Sequence, residues 1–300
     1  MNKPLKVAGV SLIAGLSEIA ARYEVVLSDI WGVVHNGRES FTAATDALAA
    51  FRRRGGTVIL ITNAPRPSAP IIEQLVELKV PRQAYDGIVT SGDVTMGLIA
   101  ARGSAPVHHI GPPRDLSLFD AAAGLSSAAP PPLVALERAD YVLCTGLFDD
   151  QTEVPGDYDA TFVAMLARRL TLICANPDLV VQRGDELIYC AGALAQRYEQ
   201  MGGEAIYAGK PYPPIYAQAL NLAGTLRGQR IDDTRVLAIG DAMRTDVAGA
   251  VGRGIDILFV TAGIHGEDLP GDRPLEAAAL EQFSARHGLW PTAAIRDLIW

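Results

Sequence analysis

EVVLSDIWGVVHNG, residues 24–37, is the stretch whose reading decides the fold. It opens on Val25, Val26 and Leu27, an apolar run without alternation, and reaches Asp29 two residues later. A strand buried on both faces of a parallel sheet reads as such a continuous run. Asn36-Gly37 then reads as a turn. Ligands of open α/β sheets gather beyond the carboxyl ends of the strands. An acid at that position is therefore a candidate functional group.

The same signal recurs outward from this stretch. TVILITN (57–63), GIVTSG (87–92), YVLCTG (141–146), LTLICAN (170–176), VLAIGD (236–241) and IDILFVTAG (255–263) are short apolar runs of the same kind. Helical stretches lie between them: Ser40 to Arg54, closed by Gly55-Gly56 as a C-cap, Ala69 to Lys79, and Tyr212 to Arg227. Strands alternating with helices of this length predict βαβ units and a parallel sheet. The fold class is α/β, a Rossmann-like parallel-sheet core with an inserted α/β cap domain. The core comprises residues 1–100 and 205–300, and the cap 101–204. The cap segment differs in composition, with the small-residue run Ala121 to Ala128, a loop or short weak helix, and a Pro-rich stretch at 129–132.

Composition bounds the function. The chain has 300 residues, which favours two domains. Its formal net charge of −8 should repel nucleic acid and anionic membranes. Arg52, Arg53 and Arg54 read as the solvated end of a helix. No apolar run is long enough to span a bilayer. Lys3 and Lys6 precede an apolar stretch from Val7 to Leu16, a weak likeness to a secretory signal. Glu18 and Arg22 follow it, so a helix packed on the domain is the expectation. Cys144, Cys174 and Cys190 are widely spaced and read as buried free thiols in a reducing, cytoplasmic setting.

Several runs end in polar residues: Asp29, Thr62-Asn63 and Asp241. Each alone reads as a helix cap or turn residue; together they can converge on one site. LSDIWGVVHNG (27–37) resembles the first motif of the haloacid dehalogenase superfamily, LITNAPRP (60–67) the second, and AGKPYPPIY (208–216) the third. IGDAMRTDVAGAVGRGIDILFVTAGI (239–264) resembles the fourth in its G-D-x-x-x-T-D form. With Asn176-Pro177-Asp178 in the inserted segment, the likeness is to class IIA, the NagD-like and phosphoglycolate phosphatase-like group, from about Val25 to Gly263.

The resemblance implies a Mg²⁺-dependent phosphatase of small phosphorylated metabolites, such as sugar phosphates or nucleotides, forming an aspartyl-phosphate at Asp29. It assigns the metal to the Asp29 carboxylate, the Trp31 backbone carbonyl and Asp241, with Asp246 in support. Thr62 and the backbone N–H of Asn63 would bind the phosphoryl oxygens, aided by the N-terminus of the helix that follows. Lys210 would pair with Asp29 and the transferring group. Asn176 and Asp178 read equally as substrate contacts or a structural turn. Arg114 is a weaker contact, and Ser91-Gly92-Asp93 could line the entrance.

One position departs from the family pattern. Trp31 stands where a second Asp serves as general acid and base, and indole offers only an N–H donor. His35 is the candidate substitute, against its reading as a structural histidine. His108 and His109 receive no metal role. The departure keeps two alternatives open: a phosphate-binding or regulatory protein with little turnover, and a phosphotransferase to an acceptor other than water. Self-association into a homo-oligomer also stays open.

Overall fold

A computed structural model describes residues 10–126, 129–183, 186–266, 269 and 276–300. The strands are β1 Ser11–Leu12, β2 Val25–Asp29, β3 Thr57–Thr62, β4 Gly87–Thr90, β5 Val107–Ile110, β6 Tyr141–Cys144 and β7 Thr171–Cys174. They continue with β8 Val180–Arg183, β9 Glu186–Tyr189, β10 Glu204–Tyr207, β11 Val236–Gly240, β12 Asp256–Val260 and β13 Ala293–Ile295. The helices are α1 Thr42–Arg53, α2 Ser68–Glu77, α3 Ser91–Ala100, α4 Ser117–Ser126, α5 Asp159–Ala167, α6 Ala191–Gln200, α7 Pro213–Arg227, α8 Ala248–Arg253 and α9 Ala277–His287.

Seven strands form one sheet in the order β1-β13-β12-β11-β2-β3-β4, and four form another in the order β10-β7-β6-β5. β8 and β9 make a separate antiparallel hairpin. The pairs β11·β2, β2·β3 and β11·β12 are parallel, as are β10·β7, β6·β7 and β5·β6. Every residue of β2 and β11 is buried, as their unbroken apolar runs require of central strands.

The four-stranded sheet is covered on both faces. Val142, Cys144, Leu172 and Cys174 pack with Phe162 and Met165 of α5 and Leu194 and Tyr198 of α6. Tyr141, Leu143 and Ile173 pack with Met96 and Ile99 of α3 and Leu118 and Phe119 of α4. Alternate residues of one strand thus serve opposite faces. The chain divides into two compact units: Met1–Ile61, Leu75–Ile88 and Ala219–Trp300 in one, Thr62–Gln74 and Val89–Gln218 in the other.

The expected N-terminal helix lies partly in residues 1–9, outside the described residues. From Val10 onward it is not α-helical. Ser11 and Leu12 pair with β13, and the N–H groups of Ile13 and Leu16 donate to the Ala294 and Ile299 carbonyls. Gly15 approaches the Trp300 carbonyl so closely that a Cβ there would lie 2.5 Å from its oxygen. The small-residue run at 121–128 supplies the end of α4, with residues 127–128 outside the described set.

Candidate active site

The register of the first sheet builds the acidic centre. Ser28 pairs with Ile239, so Asp29 at the end of β2 and Asp241 just after β11 emerge at adjacent carboxyl ends. The turn after β11 runs into a π-helical segment, Met243–Val247, that returns Asp246 to the same place. One carboxylate oxygen from each of Asp29, Asp241 and Asp246 lies within 4.8 Å of the other two. All three residues are buried.

Backbone donors fix each carboxylate. Ile30 N–H donates to Asp29 Oδ1 at 2.7 Å, and Ile264 N–H to Asp241 Oδ2 at 2.8 Å. Ala242 N–H donates to Asp246 Oδ2 at 3.1 Å. Two glycines clear the space. A Cβ on Gly263 would lie 2.0 Å from Asp241 Oδ2, and one on Gly32, at φ 78°, would meet the same oxygen. Three buried carboxylates this close repel one another unless a cation lies among them. Their hard oxygen donors fit Mg²⁺ or a similar divalent ion.

A second network surrounds Asn63. Its Oδ1 accepts the Lys210 backbone N–H at 2.7 Å, while its Nδ2 donates to the Lys210 carbonyl at 3.1 Å and to Asp178 Oδ1 at 2.9 Å. Asn176 Oδ1 in turn accepts the Asp178 N–H at 3.1 Å. The side chains of Asn176 and Asp178 therefore brace Asn63. Gly209 admits this contact, since a Cβ there would sit 2.3 Å from Asn63 Oδ1. Lys210 is buried. Thr62 lies one residue beyond Ile61, the register partner of Asp29. Its hydroxyl accepts the Ala64 N–H at 3.3 Å, which sets the turn.

Other residues singled out in the sequence have protein partners of their own. Ser91, Gly92 and Asp93 form the first turn of α3. Thr90 and Asp93 make its capping box, and Thr90 Oγ1 also donates to the Arg66 carbonyl. Asp93 takes the Ser68 N–H, so that donor of α2 is engaged by protein and does not face a phosphate. Arg114 pairs with Asp150 on the surface. His108 and His109 bond to the Val134 carbonyl and to Thr145 Oγ1.

The loop after β2 is held by its own groups. Trp31 is 45% exposed, its ring set edge-on to His35 with centroids 5.4 Å apart. Trp31 also lies against Gly37, where a Cβ would come 2.4 Å from Cη2. His35 is buried, and its Nδ1 accepts the Gly37 N–H at 3.0 Å. Burial lowers its pKa from 6.5 to about 4. It is thus a neutral histidine at physiological pH, structurally engaged at Nδ1.

Sequence reading missed the Asn63 clamp and the Ile264 donor. The only signals were Gly209 beside Lys210 and the Ala262-Gly263-Ile264 string after β12.

Residues 26–124 match the profile of the haloacid dehalogenase-like hydrolase family, and residues 207–281 a HAD-hydrolase-like profile. The chain is 42% identical to a haloacid dehalogenase-like hydrolase of Brucella suis 1330 across 96% of this chain and all of that one, with a TM-score of 0.81. It belongs to the haloacid dehalogenase-like hydrolase family.

Among individual relatives, 5'-nucleotidase YutF of Bacillus subtilis is 25% identical over 246 residues, covering 81% of this chain and 88% of that protein. The p-nitrophenyl phosphatase of Archaeoglobus fulgidus shares the fold, at 21% identity and TM-score 0.71, covering 92% of this chain and 96% of that one.

Proposed function

We propose that this chain is a Mg²⁺-dependent phosphoric monoester hydrolase acting on small phosphorylated metabolites of the sugar phosphate or nucleotide type. The observation that carries the reading is the buried Asp29, Asp241 and Asp246 cluster at adjacent strand ends. The named relatives that act on nucleotides and nitrophenyl phosphate support the ester class. Residues 101–204 form the cap in this reading, and 1–100 with 205–300 the catalytic core.

Asp29 is the nucleophile. Ile30 N–H holds its Oδ1, and the carboxylate attacks phosphorus to form the aspartyl-phosphate. The ester oxygen leaves with the bonding pair. Asp29, Asp241 and the Trp31 carbonyl would hold the divalent ion, with Asp246 in support. When bound, that ion neutralises the carboxylates and the phosphoryl charge. Thr62 donates its O–H to a phosphoryl oxygen, and the Asn63 backbone N–H to another. Lys210 balances the remaining charge, its backbone held by the Asn63 amide. Catalysis here is mainly positioning and electrostatics.

Trp31 leaves no carboxylate to protonate the leaving group or activate water. General acid–base help is worth about 10²–10⁴ in rate. Aryl phosphates are therefore the best substrates, and breakdown of the aspartyl-phosphate is the slow step. The same residue favours a second reading, a phosphate-binding protein with little turnover. A screen of phosphate esters with Mg²⁺, comparing the intact chain with Asp29→Asn, separates the two. Ester hydrolysis lost in Asp29→Asn supports the enzyme. Phosphate binding without product supports the binding protein.

A further inference from the structure

The amino ends of the same central strands carry a different chemistry. Glu24, Gly56 and Arg235 immediately precede β2, β3 and β11, which are neighbours in the sheet. A cavity of about 290 Å³ opens there, lined by these residues together with Arg54, Gly55 and Arg227 among others. Strand β2 separates it from Asp29 by about 17 Å, at ~3.3 Å per residue. It lies outside the catalytic centre.

Three arginines and one glutamate line this cavity, a surplus of two positive charges among the lining residues. Glu24 is shared: Arg235 Nε lies 3.3 Å from Oε1, and Arg227 Nη2 lies 3.6 Å from Oε2. Arg227 is further engaged, its Nη1 donating to the Gly55 carbonyl at 3.0 Å and Thr57 Oγ1 at 3.2 Å. The other two cations keep donors in reserve. Arg235 bonds through Nε, and its terminal amino groups have no protein partner among the described residues. The Arg54 guanidinium lies over the Trp300 ring at 5.7 Å and has no hydrogen bond or ion pair among the described residues. The nearby Asp256 is committed to Arg22 and Tyr23.

A chain with a net charge of −8 has concentrated positive charge in a concave site with spare planar donors. Guanidinium forks match phosphate oxygens in geometry and charge. We propose that this cavity binds a phosphate dianion, free or carried on a small metabolite, at the end of the sheet remote from Asp29. Arg54 and Arg235 supply the free donors, and Arg227 and Glu24 set the frame.

The test is calorimetric titration of the intact chain with inorganic phosphate in chelator-treated buffer. Without a divalent ion, the three carboxylates of the catalytic centre repel the anion. Binding should weaken by about tenfold or more in Arg54→Gln and in Arg235→Gln, each removing charge-assisted donors. It should also weaken as salt rises. Lys210→Ala and Thr62→Ala should leave it unchanged. Both arginines are surface groups, and thermal melts of the variants check that folding is intact. Glycerol phosphate competing with inorganic phosphate would assign an ester, and failure to compete would assign the free ion. Binding lost in Lys210→Ala but kept in Arg54→Gln and Arg235→Gln would overturn the proposal. So would the absence of any phosphate binding to the intact chain.

Discussion

Asn63 grips Lys210 by both backbone polar groups, accepting its N–H at 2.7 Å and donating to its carbonyl at 3.1 Å. The two residues are 147 positions apart in the chain. This pairing, braced by Asp178, fixes where the buried lysine begins. Asn63→Ala removes both of these bonds to the Lys210 backbone. An unsatisfied buried group costs about 1–3 kcal/mol. A lowered melting temperature and a reduced kcat are expected. A variant with unchanged melting and kinetics would show that the clamp does not position Lys210.

The metal centre makes a sharper demand on a residue with no functional group. A Cβ on Gly263 would lie 2.0 Å from Asp241 Oδ2. Gly263→Ala must therefore displace the carboxylate or the loop. Disturbing the neighbours of a metal ligand typically lowers affinity about 10–100-fold. Calorimetric titration with Mg²⁺ reads the change directly. Undiminished affinity would place the ion elsewhere.

Crowding of the three carboxylates gives a stability prediction with opposite signs in two buffers. Without a divalent ion, Asp241→Asn removes like-charge repulsion, so it should melt no lower than the intact chain. With Mg²⁺ at ~100 times its dissociation constant, the intact chain should gain about 2.7 kcal/mol. Asp241→Asn should gain much less. Equal gains would count against Asp241 as a ligand.

His109 sets an acid limit on stability. Burial, then the neighbouring His108 charge, lowers its pKa from 6.5 to about 4. The fold holds the neutral form, so protonation favours the unfolded chain. This contribution is complete above pH 6.5 and is lost as pH falls toward 4. Asp115, whose carboxyl burial holds above the usual carboxylate range, has the opposite sign and offsets part of the loss. His109→Gln, which keeps a polar partner for Thr145, should flatten the fall of melting temperature across that window. An unchanged profile would remove His109 as a cause.

Much of this was legible in the sequence because central parallel strands must be apolar throughout. β2, β3, β11 and β12 announced themselves that way, and their polar ends pointed to Asp29, Thr62 and Asp241. β5 did not, since His108 and His109 interrupt its run. β1 and β13 are too short to show a pattern. Ser91-Gly92-Asp93 was read only as a stretch that could line the entrance, and its composition hid the capping box by which Thr90 and Asp93 start α3. The Asn63 clamp joins distant segments, and no local pattern encodes such a pair. Trp31 was visible as a departure, but not its seat against Gly37, which gives the indole a structural role too.

The most direct measurement is rapid-quench kinetics of an aryl phosphate with Mg²⁺, with acid trapping of the protein-bound phosphoryl group. Aryl product should appear in a stoichiometric burst followed by slow turnover. The trapped phosphoryl should be present on the intact chain and absent from Asp29→Asn, with alkyl phosphates turned over more slowly still. Trp31→Asp, if it melts normally, should speed the slow phase. Rapid burst-free turnover of alkyl phosphates, or a phosphoryl adduct that survives in Asp29→Asn, would contradict Asp29 as a nucleophile working without a general base.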